Sequence, residues 1–114
     1  MTEPSGVLCP RFHTAVELIG RRWTGAIIRV LTGGPLRFNE LLGRVPGLSD
    51  RLLTERLREL ETADLVLRDV EPGPPVAVRY ALTCAGHELE PVLAALGVWA
   101  ERWIGAAESD SKAS

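Results

Sequence analysis

From Pro35 to Thr83, the order of apolar steps and chain breakers leaves few ways to fold. Pro35-Leu36-Arg37-Phe38 forms a short extended lead-in, and Asn39-Glu40-Leu41-Leu42 starts a brief helix. Val45-Pro46-Gly47-Leu48 stops that helix, because Pro46 biases Val45 out of the helical region and Gly47 turns freely. A second helix starts at once. Ser49 is a good N-cap, Asp50 suits the positive end of the first turn, and Leu53, Leu57 and Leu60 recur at steps of four and three. One side of this helix is apolar and the other polar. Leu65 to Glu71 then reads as a strand, Pro72-Gly73-Pro74-Pro75 as a turn, and Val76 to Leu82 as a returning strand. A turn-linked helix pair followed by a two-stranded ribbon predicts a mainly α fold with a small β-wing, a winged helix-turn-helix.

Upstream, residues 1–8 read as a flexible arm, and Cys9-Pro10 opens a helix on which Phe12, Val16 and Ile19 share a face, ending near Gly20. Trp23 to Leu31 reads as an apolar helix of about three turns at the centre of the core, closed by Gly33-Gly34-Pro35. Downstream, Thr83 caps a final helix from Cys84 to about Ala107. Leu89, Val92, Leu93, Leu96, Trp99, Ala100, Trp103 and Ile104 share one broad apolar stripe on it. Residues 108–114 read as a disordered tail, which sets the folded domain at 9–107. The stripe exceeds what so small a domain easily covers, which predicts a homodimer through the first and last helices. The competing arrangement folds the stripe back on the first two helices of the same protomer.

A chain of 114 residues with 46% hydrophobic content suits one small domain. It has no apolar run of the ~18 residues that a membrane span needs, and Met1 to Gly6 lacks the features of a secretory signal. A cytoplasmic protein without membrane association is expected. Cys9 and Cys84 are too few for a disulfide scaffold, and neither has a CxxC partner or a nearby histidine. His13 and His87 lie far apart, and no Ser-His-Asp order, paired acid/base carboxylates or glycine-rich phosphate loop occurs. No enzyme activity, metal or cofactor is expected.

The net charge of −2 hides a strong asymmetry. Residues 20–58 carry eight arginines against three acidic groups, net +5, whereas residues 59–114 carry four basic and ten acidic groups, net −6. Twelve of the thirteen cationic residues are arginine, whose planar fork suits phosphate and guanine; a GC-rich genome would give the same bias. On a helical wheel Arg51, Thr54, Glu55 and Arg58 cluster opposite Leu53, Leu57 and Leu60, so they are the candidates for reading base edges. Ser49 and Asn39 read as caps whose helix ends also face phosphate, with Asp50 beside the first. Arg37 is a candidate phosphate contact, as are Arg68 and Arg79 from the strands, while Arg56 borders the apolar face and suits a structural ion pair. Trp23, Trp99 and Trp103 read as core and interface residues; with Phe12, Val16, Leu93 and Leu96 they can also line an apolar pocket for a small effector.

Several segments resemble the HxlR family of bacterial winged-helix transcriptional regulators. They include Cys9-Pro10, Leu18-Ile19-Gly20, Arg22-Trp23-Thr24, Gly34-Pro35-Leu36-Arg37-Phe38-Asn39-Glu40-Leu41 and Pro46-Gly47-Leu48-Ser49. Leu53-Thr54-Glu55-Arg56-Leu57-Arg58-Glu59-Leu60 and Tyr80-Ala81-Leu82-Thr83 continue the likeness, which spans about residues 9–103. The resemblance implies a dimer joined through its first and last helices, a recognition helix in the major groove of a two-fold symmetric operator, and a wing near the minor groove. It also implies a repressor or activator, some members responding to electrophiles or oxidants through an N-terminal cysteine. Cys9 matches that position, near a helix start and beside Arg11, both of which favour thiolate; a buried, inert residue is the competing reading. Cys84 stands where the family commonly has proline and is a second redox candidate. The wing departs from the pattern, with Ala77 where a cation is common and Arg79 where an acidic residue is common. A winged-helix protein-interaction module that has lost DNA binding is the competing function.

Overall fold

The computed structural model describes residues 9–105; the expected arm at 1–8, the tail at 108–114 and the domain end at 107 lie outside that span. Helix α1 runs Pro10–Ile19, with Pro10 in the first turn, where its missing N–H leaves no bond unmade. Helix α2, Thr24–Leu31, has eight residues rather than three full turns, because Trp23 takes a left-handed backbone (φ 78°) and serves as its N-cap. Strand β1 (Leu36–Arg37) leads into α3 (Phe38–Arg44), and α4 spans Asp50–Thr62. Strands β2 (Val66–Glu71) and β3 (Ala77–Leu82) follow, each starting one residue later than expected.

Two expectations are corrected here. The ribbon is a three-stranded antiparallel sheet of order β1-β3-β2, because the extended lead-in at Leu36–Arg37 pairs with Tyr80 and Arg79. The final helix is also not continuous. It divides into α5 (Cys84–His87) and α6 (Glu90–Ala100), followed by a π-helical turn over Glu101–Gly105. Pro91 explains the division: it lacks an N–H and clashes with the preceding turn, so a helix tolerates it only near the start, where α6 has it.

The core forms where α2 meets α3 and α4. Ile27, Ile28 and Leu31 of α2 and Leu41 of α3 are buried together with Leu53, Leu57 and Leu60, which are 0–2% exposed. A side chain fully buried in this way contributes ~1.5–3 kcal/mol, enough for a 13-residue helix of low mean hydropathy to be fixed by its back. The Val45–Ser49 link holds Gly47 at φ 90°, and the Trp23 ring packs directly over it. The ribbon is rooted where β3 ends. The Thr83 N–H donates to the Leu65 carbonyl (3.0 Å), its hydroxyl donates to the Asp64 carbonyl (2.7 Å), and its Oγ1 accepts from the Gly86 N–H (3.1 Å).

A Cβ added at Gly86 would collide with the Leu65 carbonyl, whereas one at Gly43 on α3 meets nothing. Gly86→Ala is therefore expected to destabilise the protein by ~1–3 kcal/mol through overpacking. Gly43→Ala is expected to stabilise it by ~0.5–1 kcal/mol through helix propensity. Thermal denaturation should show Tm moving in opposite directions; equal Tm values would contradict the packing at this junction.

Candidate nucleic-acid interface

The outward face of α4 is built from its cap onward. Ser49 Oγ accepts from the Leu52 N–H (3.1 Å), so its role as a cap is realised, with Asp50 in the first turn. Arg51 projects outward, its side chain 89% exposed, and lies 3.4 Å from the Glu55 carboxylate one turn on. The Thr54 hydroxyl donates to the Asp50 carbonyl (2.9 Å), and Arg58 stands exposed a turn further. Arg51, Thr54, Glu55 and Arg58 thus lie opposite the buried leucines, as the wheel predicts.

Arg56 has a different role. It is 7% exposed; its Nε donates to the Arg22 carbonyl (2.9 Å) and its Nη1 to Glu59 (3.3 Å). The other oxygen of Glu59 accepts from Arg21 Nε (2.9 Å), so one carboxylate joins two arginines and ties α4 to the turn before α2. This is the structural ion pair that the position of Arg56 suggests.

Asn39 is not a cap. The N-cap of α3 is Arg37, whose N–H donates to Glu40 Oε1 (2.8 Å), and Asn39 sits exposed within the first turn. The signal was Glu40, which lies three residues after the cap and can reach back to it. Arg37 itself is exposed and opposite Arg79 in the β1–β3 register.

The register also sorts the strand arginines. Directly paired residues share a face, so Arg68, Tyr80 and Leu36 lie on one side of the sheet and Asp69, Arg79 and Arg37 on the other. Arg79 is further occupied by Glu71 (3.3 Å). The two strand arginines therefore cannot act together. Arg68 instead joins Arg58 in a cleft of about 420 Å³ between α4 and the sheet, with Phe38 and Tyr80 among its walls. Phe38 and Tyr80 are the residues that sequence reasoning missed, since their convergence depends on the long-range pairing of β1 with β3, which no local signal announces.

The remaining candidates lie elsewhere. Cys9 is half-buried at the N-cap of α1, Cys84 is exposed at the first position of the four-residue α5, and both are free thiols. Phe12, Val16, Ile19, Val92, Leu93 and Leu96 border an apolar groove of about 580 Å³ between α1 and α6. The expectation that the tryptophans line this pocket is corrected. Trp23 is held against Gly47 and the core by its left-handed backbone, while Trp99 and Trp103 are exposed beyond the groove. Arg29 of α2 donates to the Leu93 carbonyl (3.3 Å) and joins the core to α6. Among the described residues no three His, Cys, Asp or Glu side chains gather as metal ligands, and no helix is long and apolar enough to cross a membrane.

Two helices joined by a tight turn, the second held by leucines with its arginines outward and a three-stranded sheet beside it, define a winged helix-turn-helix. Residues 18–108 match the model of the HxlR-like helix-turn-helix family, and the chain belongs to that family. It is 44% identical over 97 residues to the HTH-type transcriptional regulator YvaP of Bacillus subtilis strain 168, covering 85% of this chain and 90% of that protein. The HTH-type transcriptional regulator YodB of the same organism is 43% identical over 96 residues, covering 84% and 86%. The reduced form of YodB is similar in structure, with a TM-score of 0.79 at 42% identity over 86% of this chain and 96% of that one. The redox regulator HypR in its reduced form gives 0.79 at 34% identity, covering 87% and 98%. YodB is also known in diamide-treated and quinone-bound structures.

The two kinds of arginine on α4 separate by stability. Arg56→Ala strands a buried carbonyl and part of the Glu59 charge, and is expected to cost ~2–4 kcal/mol. Arg51→Ala removes an exposed pair whose contribution is ~0–1 kcal/mol. Urea denaturation of both variants checks this, and a comparable loss for Arg51→Ala would show that the residue is structural.

Proposed function

We propose that this chain is a dimeric, sequence-specific DNA-binding transcription regulator of the cytoplasm, acting as a repressor whose affinity responds to modification of Cys9 or to a small ligand. The observation that carries the reading is the arginine face of α4, exposed opposite three buried leucines. A helix held from behind in this way can seat its first turn in a major groove, where Arg51 is placed to take a guanine edge. Ser49 and Asp50 border the groove, and Arg37 at the head of α3 is placed for backbone phosphate. The relatives that share this architecture are transcriptional regulators by name, which supports the reading.

A second copy is the proposed cover for the exposed apolar surface of α1, α6 and the π-helical turn after it, where Phe12, Val16, Leu96, Trp99 and Trp103 are 46–69% exposed. Such a pairing sets two α4 helices on a two-fold symmetric operator. Cys9 lies at the start of α1, at the margin of that surface, and the diamide-treated and quinone-bound forms of YodB support thiol chemistry as the signal.

The protein is expected to bind a duplex selected from a random pool, with affinity falling steeply between 50 and 200 mM salt. Arg51→Ala should weaken that binding about tenfold or more. A wild-type protein without salt-sensitive DNA affinity would favour the protein-interaction module. Leu96→Glu is expected to halve the mass seen by sedimentation and to abolish operator binding; an unchanged mass would rule out this surface as the dimer contact. Diamide or quinone should release DNA from wild type and from Cys84→Ser, but not from Cys9→Ser. Release from Cys9→Ser would move the switch away from Cys9.

A further inference from the structure

The cleft between α4 and the sheet points to a division of labour among the arginines of the reading head, an inference that rests on the DNA-binding reading above. We propose that this cleft seats one backbone phosphate of the duplex, held jointly by Arg58 of α4 and Arg68 of β2. Arg58 is thereby a clamp on the backbone, and base recognition falls to the first turn of α4.

Three observations converge on this. The first is pairing. Arg21, Arg51, Arg56 and Arg79 each lie within 4 Å of a carboxylate, whereas Arg58 and Arg68 enter none of the ion pairs among the described residues. Glu61 on the cleft wall lies beyond that distance from both. Two guanidiniums from separate elements thus border one cavity against the single Glu61 carboxylate, so the cavity is left net positive and a bound anion offsets the remaining charge.

The second is shape. The cavity holds about 420 Å³ between Leu57, Phe38 and Tyr80, with Thr54 at its rim. The Thr54 hydrogen is already given to the Asp50 carbonyl, so the guanidiniums are left as the charged donors. The register puts Arg68 on the sheet face turned toward α4, which is why it reaches this cavity and Arg79 does not.

The third is position. Arg58 lies seven residues after Arg51, hence ~10 Å further along the helix axis. In a recognition helix the N-terminal residues are the ones that contact base edges, so Arg58, two turns further on, is placed away from them and toward the sugar-phosphate chain.

The test uses the full-length protein, a duplex selected by wild type from a random pool, and a scrambled duplex of the same composition. Arg58→Ala and Arg68→Ala should each weaken binding to both duplexes alike and lower the salt slope by ~0.9 per protomer, so that a dimer loses about tenfold less affinity between 50 and 200 mM salt. The double variant should lose little more than either single one, because the two share one phosphate. Arg58→Lys should retain most of the slope and all of the selectivity, since an ammonium serves as a point charge for phosphate but cannot form the guanine fork. Replacing chloride by inorganic phosphate at equal ionic strength should weaken wild-type binding more than that of Arg58→Ala.

A loss of selectivity in Arg58→Lys with the slope intact would overturn the proposal and return Arg58 to base reading. Inorganic phosphate bound by wild type while Arg58→Ala and Arg68→Ala keep the full DNA affinity of wild type in chloride would instead make the cleft a free-anion site. Both outcomes leave the DNA-binding reading standing; a wild type that binds neither duplex removes that reading itself.

Discussion

Everything the outer face of α4 presents depends on the burial of its inner one. Leu53, Leu57 and Leu60 pack against Ile27, Ile28, Leu31 and Leu41, and that contact fixes rotation about the helix axis. A turn of one residue would swing the polar flank by ~100° and drive leucine into water. Arg56 adds a polar lock at the edge of the same contact, since its bonds to the Arg22 carbonyl and Glu59 are satisfied in only one orientation. Apolar burial supplies the energy of the arrangement, and the buried arginine supplies its register.

Charge follows the same logic. The acidic C-terminal half is compatible with a basic reading head because the strand carboxylates are largely directed at the face carrying Arg79. Asp69 lies beside Arg79 in the register and Glu71 pairs with it, so that face of the ribbon is locally compensated. The face bearing Arg68 stays basic and adjoins α4. A sum over the chain misses this, because what a duplex meets is the charge of one face rather than of one sequence.

Local signals made most of the helical scaffold legible. Leucine spacing identified α4 and its buried side, Ser49 marked its start, and Pro46-Gly47 marked the turn. What escaped was non-local. The pairing of β1 with β3 joins segments some forty residues apart, and the register of β2 with β3 is set by a loop without a standard hairpin pair, so no local signal marks the meeting of Arg68, Tyr80 and Phe38 with α4. The break before α6 was readable in principle from Pro91, but the long apolar stripe masked it, since periodicity continues across a kink. Asn39 has the residue type of a cap but not the position, because the bond from the Arg37 N–H to Glu40 depends on where the strand hands over to the helix.

The junction at the foot of the ribbon determines how that ribbon can move. Thr83 holds both Asp64 and Leu65, and Gly86 brings the α5 backbone so close to the Leu65 carbonyl that no side chain fits between them. Bending is therefore denied at the base and left to the outer rungs near Pro72 to Val76. A wing anchored in this way is fixed at its root like a reed in its bed, so a load on its tip is not passed to the helix beside it.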